Sequence, residues 1–193
     1  MPVLLRAALL ALFVFQLPTA QAVPTLKAGV FEPPRHAPEF ALRASDGGEL
    51  SLARYRGKLV LLSFGFTHCA AVCPVTLATL AQARQSLGSQ AAAVQVVFVT
   101  VDPERDDPAR MKTYLAAFDP SFVGGAGRPE ALAAMRKDYG IVATKVPMAS
   151  GGYAVDHTSS ILLIDRDGKL RALMPYGREA RDYVHDIKLL LAP

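Results

Sequence analysis

Cys69 and Cys73 are the only cysteines in the chain, and they stand in the segment Phe64-Gly65-Phe66-Thr67-His68-Cys69-Ala70-Ala71-Val72-Cys73-Pro74. Thiols four residues apart on a helical turn face the same way, close enough to form a disulfide with each other or to grip one metal ion together. The apolar run Leu59 to Phe66 is rich in strand formers, and Val75 to Leu87 carries apolar residues at three- and four-residue spacing. That context sets the thiols on the turn and first helical turn, where a helix N-terminus favours the thiolate, the form that attacks disulfides and binds metals. A purely structural bridge is the bland reading for an exported chain. A loop closed across three residues removes little chain entropy, however, so such a bridge would stabilise the fold weakly.

His157 is the third candidate, in Val155-Asp156-His157-Thr158 immediately before the most apolar strand of the C-terminal half. Most histidines bind nothing, although neutral imidazole is a common metal ligand. In a parallel α/β sheet the cysteine turn lies at the carboxyl edge of the strands, and a loop entering an antiparallel edge strand would begin at that same edge. Two thiolates and one imidazole are soft donors that suit Cu(I) or Zn(II) rather than Mg(II) or Ca(II). Structural zinc asks for four protein ligands, and no further cysteine exists to supply one. Three donors with an open position suit copper, and an open position eases release. His68 adjoins Cys69 as a thiolate-tuning group or alternative ligand, with a solvated loop histidine as the plainer reading. Asp156 could orient His157 as a hydrogen-bond acceptor. Asp102, Glu104, Arg105 and Asp106 read as a charged turn with helix-capping chemistry ahead of ligation. His36 and His185 have no partner in sequence.

The elements that must position these residues form an α/β core. Phe40 to Arg43 and Glu49 to Leu52 predict a β-hairpin around Ser45-Asp46-Gly47-Gly48. Strand Leu59 to Phe66, helix Val75 to Leu87 and strand Val94 to Val101 predict a parallel pair with a crossover. Helices follow at Ala109 to Phe118, Pro129 to Tyr139 and Glu179 to Leu191. Gly124-Gly125-Ala126-Gly127 lacks both phosphate-loop patterns and reads as a flexible connector. Ile141 to Val146 and Tyr153 to Val155 predict short strands, and Ser160 to Ile164 with Leu170 to Met174 a hairpin around Asp165-Arg166-Asp167-Gly168.

Residues 1–22 read as a secretory signal: Arg6, an apolar stretch from Ala7 to Leu17 too short for a comfortable membrane span, and Ala20-Gln21-Ala22 before the cut. Cleavage would leave the protein in the periplasm, and retention would anchor it to the inner membrane. Residues 23–38, with four prolines, predict an extended tether. Residues 39–193 make one domain, beginning near Phe40. The formal charge of +4 is too mild, and too interleaved with acids, to argue for nucleic acid.

The chain resembles the Sco/SenC family of copper-binding, thioredoxin-like proteins that help build the CuA centre of cytochrome c oxidase. The matching stretches are Phe64 to Leu77 with CxxxCP, Val99-Thr100-Val101-Asp102-Pro103-Glu104-Arg105-Asp106, and Asp156-His157-Thr158 followed by a strand and Asp165-Arg166-Asp167-Gly168, in the family order. The resemblance implies a thioredoxin-like fold with an N-terminal β-hairpin and an inserted helix and strand segment. It also implies a copper ion, Cu(I) or Cu(II), on Cys69, Cys73 and His157. Its partners would be subunit II of cytochrome c oxidase or another periplasmic copper protein, and a thiol reductant protein. Family members commonly carry Pro-Asp between the cysteines, where Ala70-Ala71 stands here and removes a carboxylate.

The leading expectation is therefore a periplasmic metallochaperone rather than an enzyme. The alternative is a thiol:disulfide oxidoreductase that keeps a partner's cysteines reduced through a Cys69-Cys73 redox pair. Against it, redox thioredoxins normally carry CxxC and a proline before the later edge strand. A peroxidase stands third, because it needs an activating Arg and a Thr or Ser beside the cysteine and only Thr67 offers itself.

Overall fold

The computed structural model describes residues 25–149 and 151–192. The expected secretory signal at 1–22 lies outside the described residues. Within them, no helix is long and apolar enough to cross a membrane.

The chain enters through β1 (Gly29–His36), followed by the short pair β2 (Leu42–Ala44) and β3 (Glu49–Leu50) and then by β4 (Leu59–Gly65). Helix α1 (Val72–Ser86) crosses to β5 (Val94–Thr100), and α2 (Pro108–Ala116) crosses to β6 (Val123–Ala126). Next come α3 (Pro129–Tyr139), β7 (Ala143–Pro147) and β8 (Tyr153–His157). The chain closes with β9 (Ile161–Ile164), β10 (Lys169–Met174) and α4 (Ala180–Leu191).

Eight strands form one sheet in the order β1-β10-β9-β4-β5-β6-β2-β3, and β7 with β8 forms a separate two-stranded sheet. β4, β5 and β6 run parallel, with Leu59 opposite Val94 and Val97 opposite Val123. β4 and β5 are buried at every residue, as near-continuous apolar runs covered on both faces should be. α1 packs along α4, which also touches β4, while α2 packs on β6. This is the expected α/β class, and the β2-β3 and β9-β10 hairpins form in the expected segments.

Three expectations are corrected. Gly29–His36, expected within the extended tether, is extended but pairs antiparallel with β10, so the sheet begins before Phe40. Asp186, wholly buried on α4, fixes that entry by accepting the backbone N–H groups of Lys27 at 2.7 Å and Ala28 at 2.9 Å. The supposed flexible connector Gly124-Gly125-Ala126-Gly127 is mostly β6, buried between β5 and β2. Its glycines answer a packing demand: a Cβ at Gly124 would lie 2.8 Å from Met111 Cβ, and one at Gly125 would lie 2.6 Å from Leu50 Cδ2. Finally, β9 is an interior strand between β10 and β4 rather than an edge strand.

Candidate metal centre

β4 stops at Gly65, and the chain turns through Phe66–Ala71 before α1 begins at Val72, three residues earlier than the periodicity suggested. Cys69 sits on that turn and Cys73 in the first turn of the helix. Ala71, at the N-cap, has no side-chain acceptor to offer the open N–H groups of the first turn. The Cys69 sulfur takes that role, accepting the Cys73 N–H at 3.4 Å. Pro74 fits the first turn because its missing N–H falls among the groups that no helical carbonyl would satisfy.

The two sulfurs are unequal. Cys69 is half-buried, which opposes ionisation, but the backbone N–H groups of Cys73, Ala71 and Val72, helped by the Cys73 thiol, outweigh burial and lower its pKa. Burial pushes the Cys73 thiol well above its ordinary value; the Phe66 backbone opposes this, while Cys69 and Asp106 add to it. Both thiols are free. Room for Cys73 comes from Gly65, where a Cβ would lie 2.8 Å from Cys73 Sγ and 2.5 Å from Phe98 Cζ.

His157 closes β8 and brings Nε2 to 3.7 Å from Cys73 Sγ. Its other nitrogen, Nδ1, donates to the Thr158 carbonyl at 2.9 Å, which leaves the Nε2 lone pair facing the sulfur. The ring stands edge-on to Phe66 at 5.9 Å between centroids. Asp156 does not orient the ring as expected. It faces Thr144 in the β7-β8 ladder, and a backbone carbonyl does the orienting.

The charged loop after β5 braces this arrangement from beneath. Asp106, buried, accepts from Thr67 N at 3.0 Å, Thr67 Oγ1 at 2.6 Å and Thr100 Oγ1 at 2.7 Å, tying the cysteine turn to β5. Helix capping falls to Asp107, which accepts the Arg110 N–H at 2.7 Å. Arg110 also reaches back, donating Nε to Thr67 Oγ1 at 2.7 Å and Nη2 to His68 Nε2 at 3.2 Å. A guanidinium only donates, so that contact occupies the His68 lone pair that a metal would need. His68 is thereby a surface histidine held by Arg110. His36 lies on β1, and His185 contacts Asp186 Oδ1 at 2.9 Å.

Cys69 and His157 face a cleft of about 530 Å³, lined also by Phe66, Arg105, Met148 and Tyr153, with exposed Ala70 and Ala71 at its rim. The donors are soft and the cleft leaves one side open. Among the described residues, no three His, Cys, Asp or Glu side chains already converge on a single ion position. The chemistry on offer is thus capture by two sulfurs and a nitrogen that draw together, or disulfide exchange starting from the accessible Cys69.

Sequence reasoning missed Gly65, Asp106 as a strut, Thr67 as the residue that strut holds, Arg110 and the aromatic wall of Phe66 and Tyr153. The Asp102 to Asp106 motif was the available signal, although it names residues without saying which are buried.

The SCO1/SenC family model matches residues 30–192. The mitochondrial SCO2 homolog of Mus musculus is 36% identical over 157 residues, which cover 80% of this chain and 62% of that protein. Bradyrhizobium japonicum ScoI, solved with copper bound, is 37% identical with a TM-score of 0.75 over 81% of this chain and 99% of that one. The solution structure of apo Sco1 from Thermus thermophilus is 36% identical with a TM-score of 0.78, over 89% of this chain and all (100%) of that one.

Proposed function

Because the chain belongs to the SCO1/SenC family and shares the thioredoxin-like α/β fold of its solved members, we propose that it carries copper for assembly of the CuA centre of cytochrome c oxidase. Copper is the cargo, and Cys69, Cys73 and His157 hold it. The observation that carries this reading is the aim of His157: its Nδ1 is tied to the Thr158 carbonyl and its Nε2 lies 3.7 Å from Cys73 Sγ. An imidazole fixed in that tautomer beside a sulfur is a ready nitrogen donor. Copper bound to solved relatives such as the Bradyrhizobium japonicum protein supports the choice of metal.

The residues suggest an order of events. Cys69, half-exposed at the cleft and the more acidic thiol, meets the incoming ion first. Cys73 gives up its proton on ligation, since the thiolate is the ligand. His157 then completes the set from the facing arm. With three protein donors and one open side, an acceptor's ligands can enter before those of the carrier leave. The site would lie on the exported side of a membrane, in the periplasm if residues 1–22 act as a signal.

The asymmetry of the two thiols favours a second reading, a thiol:disulfide oxidoreductase. The Cys69 thiolate would attack a partner disulfide, forming a mixed disulfide and releasing one partner thiol. Cys73 would then attack the Cys69 sulfur of the mixed disulfide and displace the partner's sulfur, forming the Cys69-Cys73 disulfide and releasing the second thiol, so that two electrons and two protons pass to the partner.

Anaerobic titration of the reduced protein with Cu(I), with bound metal counted and its neighbours identified by X-ray absorption, tests the carrier. One copper with two sulfur donors and one imidazole is expected, and the Cys69-Cys73 disulfide form should take up none. Unchanged affinity in Cys69→Ala, Cys73→Ala double-variant protein would sink the reading.

A further inference from the structure

The arm that carries His157 has little of its own to hold it in place. Four of the five residues of β7 are exposed, and Val155, 5% exposed, is the buried residue of β8. The arm is fastened instead at Tyr153. The Tyr153 carbonyl accepts Arg105 Nη1 at 3.1 Å, and its hydroxyl donates to the buried Asp102 Oδ1 at 2.8 Å, with Glu104 Oε2 sharing it at 3.1 Å. Arg105, bonded through Nε to Asp102, lies 3.9 Å from the centre of the Tyr153 ring and 5.7 Å from that of Phe66. Phe66 in turn stands against His157. Lys145 adds an exposed ion pair from β7 to Glu104.

Asp102, Glu104 and Arg105 all belong to the segment that also supplies Asp106, the strut beneath the cysteine turn. We propose that Tyr153 and Arg105 form a latch that closes the β7-β8 arm against the cysteines and so sets how tightly His157 engages the cargo. Neither residue is placed as a ligand. They are positioning residues, and the inference rests on the copper-carrier reading for its consequence. With the latch open, the arm hangs from Val155 and from the reciprocal contacts of Val142 and Thr158, at 3.1 Å and 3.0 Å. Apparent affinity then falls by the fraction of time the arm is closed.

Tyr153→Phe removes the hydroxyl bonds and keeps the stacked ring, whereas Tyr153→Ala removes both. Affinity is read by competition with a chromophoric Cu(I) chelator, and arm closure by amide hydrogen exchange at residues 153–157 in the reduced, metal-free protein. Tyr153→Phe should weaken copper binding about threefold and Tyr153→Ala roughly tenfold, less than the full worth of a hydrogen bond to a carboxylate because Arg105 still holds the residue-153 carbonyl in both variants. Both should speed exchange in β8.

The decisive arm repeats each substitution in a His157→Ala background, where a latch that acts through His157 has no further effect on affinity. An equal loss in that background means general destabilisation and overturns the latch, as does unchanged exchange in β8. If His157→Ala itself binds copper like the native protein, the metal reading fails and the cargo role of the latch fails with it. Exchange rates still decide independently whether Tyr153 closes the arm.

Discussion

Asp106→Ala should cost more stability than any other change in the charged loop, although Asp106 touches no cargo. The carboxylate accepts three hydrogen bonds, at 3.0 Å and 2.6 Å from Thr67 and 2.7 Å from Thr100. Each bond to a charged acceptor contributes roughly 1.5–3 kcal/mol, but three bonds to one group are not additive. Thr67 Oγ1 keeps Arg110 as a partner, whereas the Thr100 hydroxyl is wholly buried and loses the acceptor for its proton. The expected loss is therefore about 3–4 kcal/mol. In a domain of this size that corresponds to a melting temperature about 10 °C lower. The assay is urea unfolding of the reduced protein, read as a lower midpoint with an unchanged slope. Asp106→Asn keeps the shape and one acceptor oxygen and should lose about half as much. A loss under about 1 kcal/mol for Asp106→Ala would refute the view that this carboxylate ties the cysteine turn to β5.

Gly65→Ala should destabilise by about 1–3 kcal/mol through overpacking against Phe98 and Cys73, and copper affinity should fall with it because Cys73 Sγ must move; chemical unfolding and chelator competition measure the two. In the reduced protein, iodoacetamide at neutral pH should modify Cys69 and spare buried Cys73, with mass mapping of the alkylated peptide as the check. Burial, with nearby carboxylates of Glu39, Asp138 and Asp182, holds the Tyr139 and Tyr183 phenols above their ordinary pKa of 10.0. The folded state thus keeps protons that the unfolded chain releases, so the phenols' share of stability is undisturbed below about pH 10 and falls above it by about 1.4 kcal/mol per pH unit per phenol, while the buried Cys73 thiol adds its own decline from about pH 9 in the reduced protein; urea midpoints from pH 9 upward test the slope, and Tyr183→Phe should reduce the part above about pH 10.

What the sequence made legible was what local pattern encodes. β4 and β5 announced themselves as apolar runs, and α1 to α4 by their period, because each buries a face that repeats along the chain. β1 was not legible as a sheet strand: seven of its eight residues are exposed, so no alternation marks it, and its partner β10 lies far along the chain. β6 was misread because glycine usually signals freedom, whereas Gly124 and Gly125 are small to admit Met111 and Leu50. The same limit applied at the site. Cysteine and histidine are visible by type, but the Thr158 carbonyl that aims His157 is a backbone atom and has no letter. Asp106 and Asp107 are identical letters with opposite fates, one buried as a strut and the other capping α2.

The position of His157 also changes how carrier and reductase can be told apart. Substituting His157 alone does not separate them, because an imidazole 3.7 Å from Cys73 Sγ can take the thiol proton during exchange as well as donate to copper. That proton matters because burial keeps Cys73 protonated and a thiol is a poor nucleophile. The separation lies in the order of steps. Attack on a partner disulfide needs Cys69, whose thiolate draws on backbone N–H groups rather than on His157. In a Cys73→Ser background, which stops the reaction at the mixed disulfide, His157→Ala should therefore leave the rate of mixed-disulfide formation unchanged. With Cys73 restored, the same substitution should slow release of the second partner thiol and, separately, weaken copper binding. Rapid-quench mass measurement of the mixed disulfide follows the first, and chelator competition the last. Slower formation of the mixed disulfide in His157→Ala would mean that the imidazole activates Cys69, and the division of labour between the two thiols drawn from this geometry would be wrong.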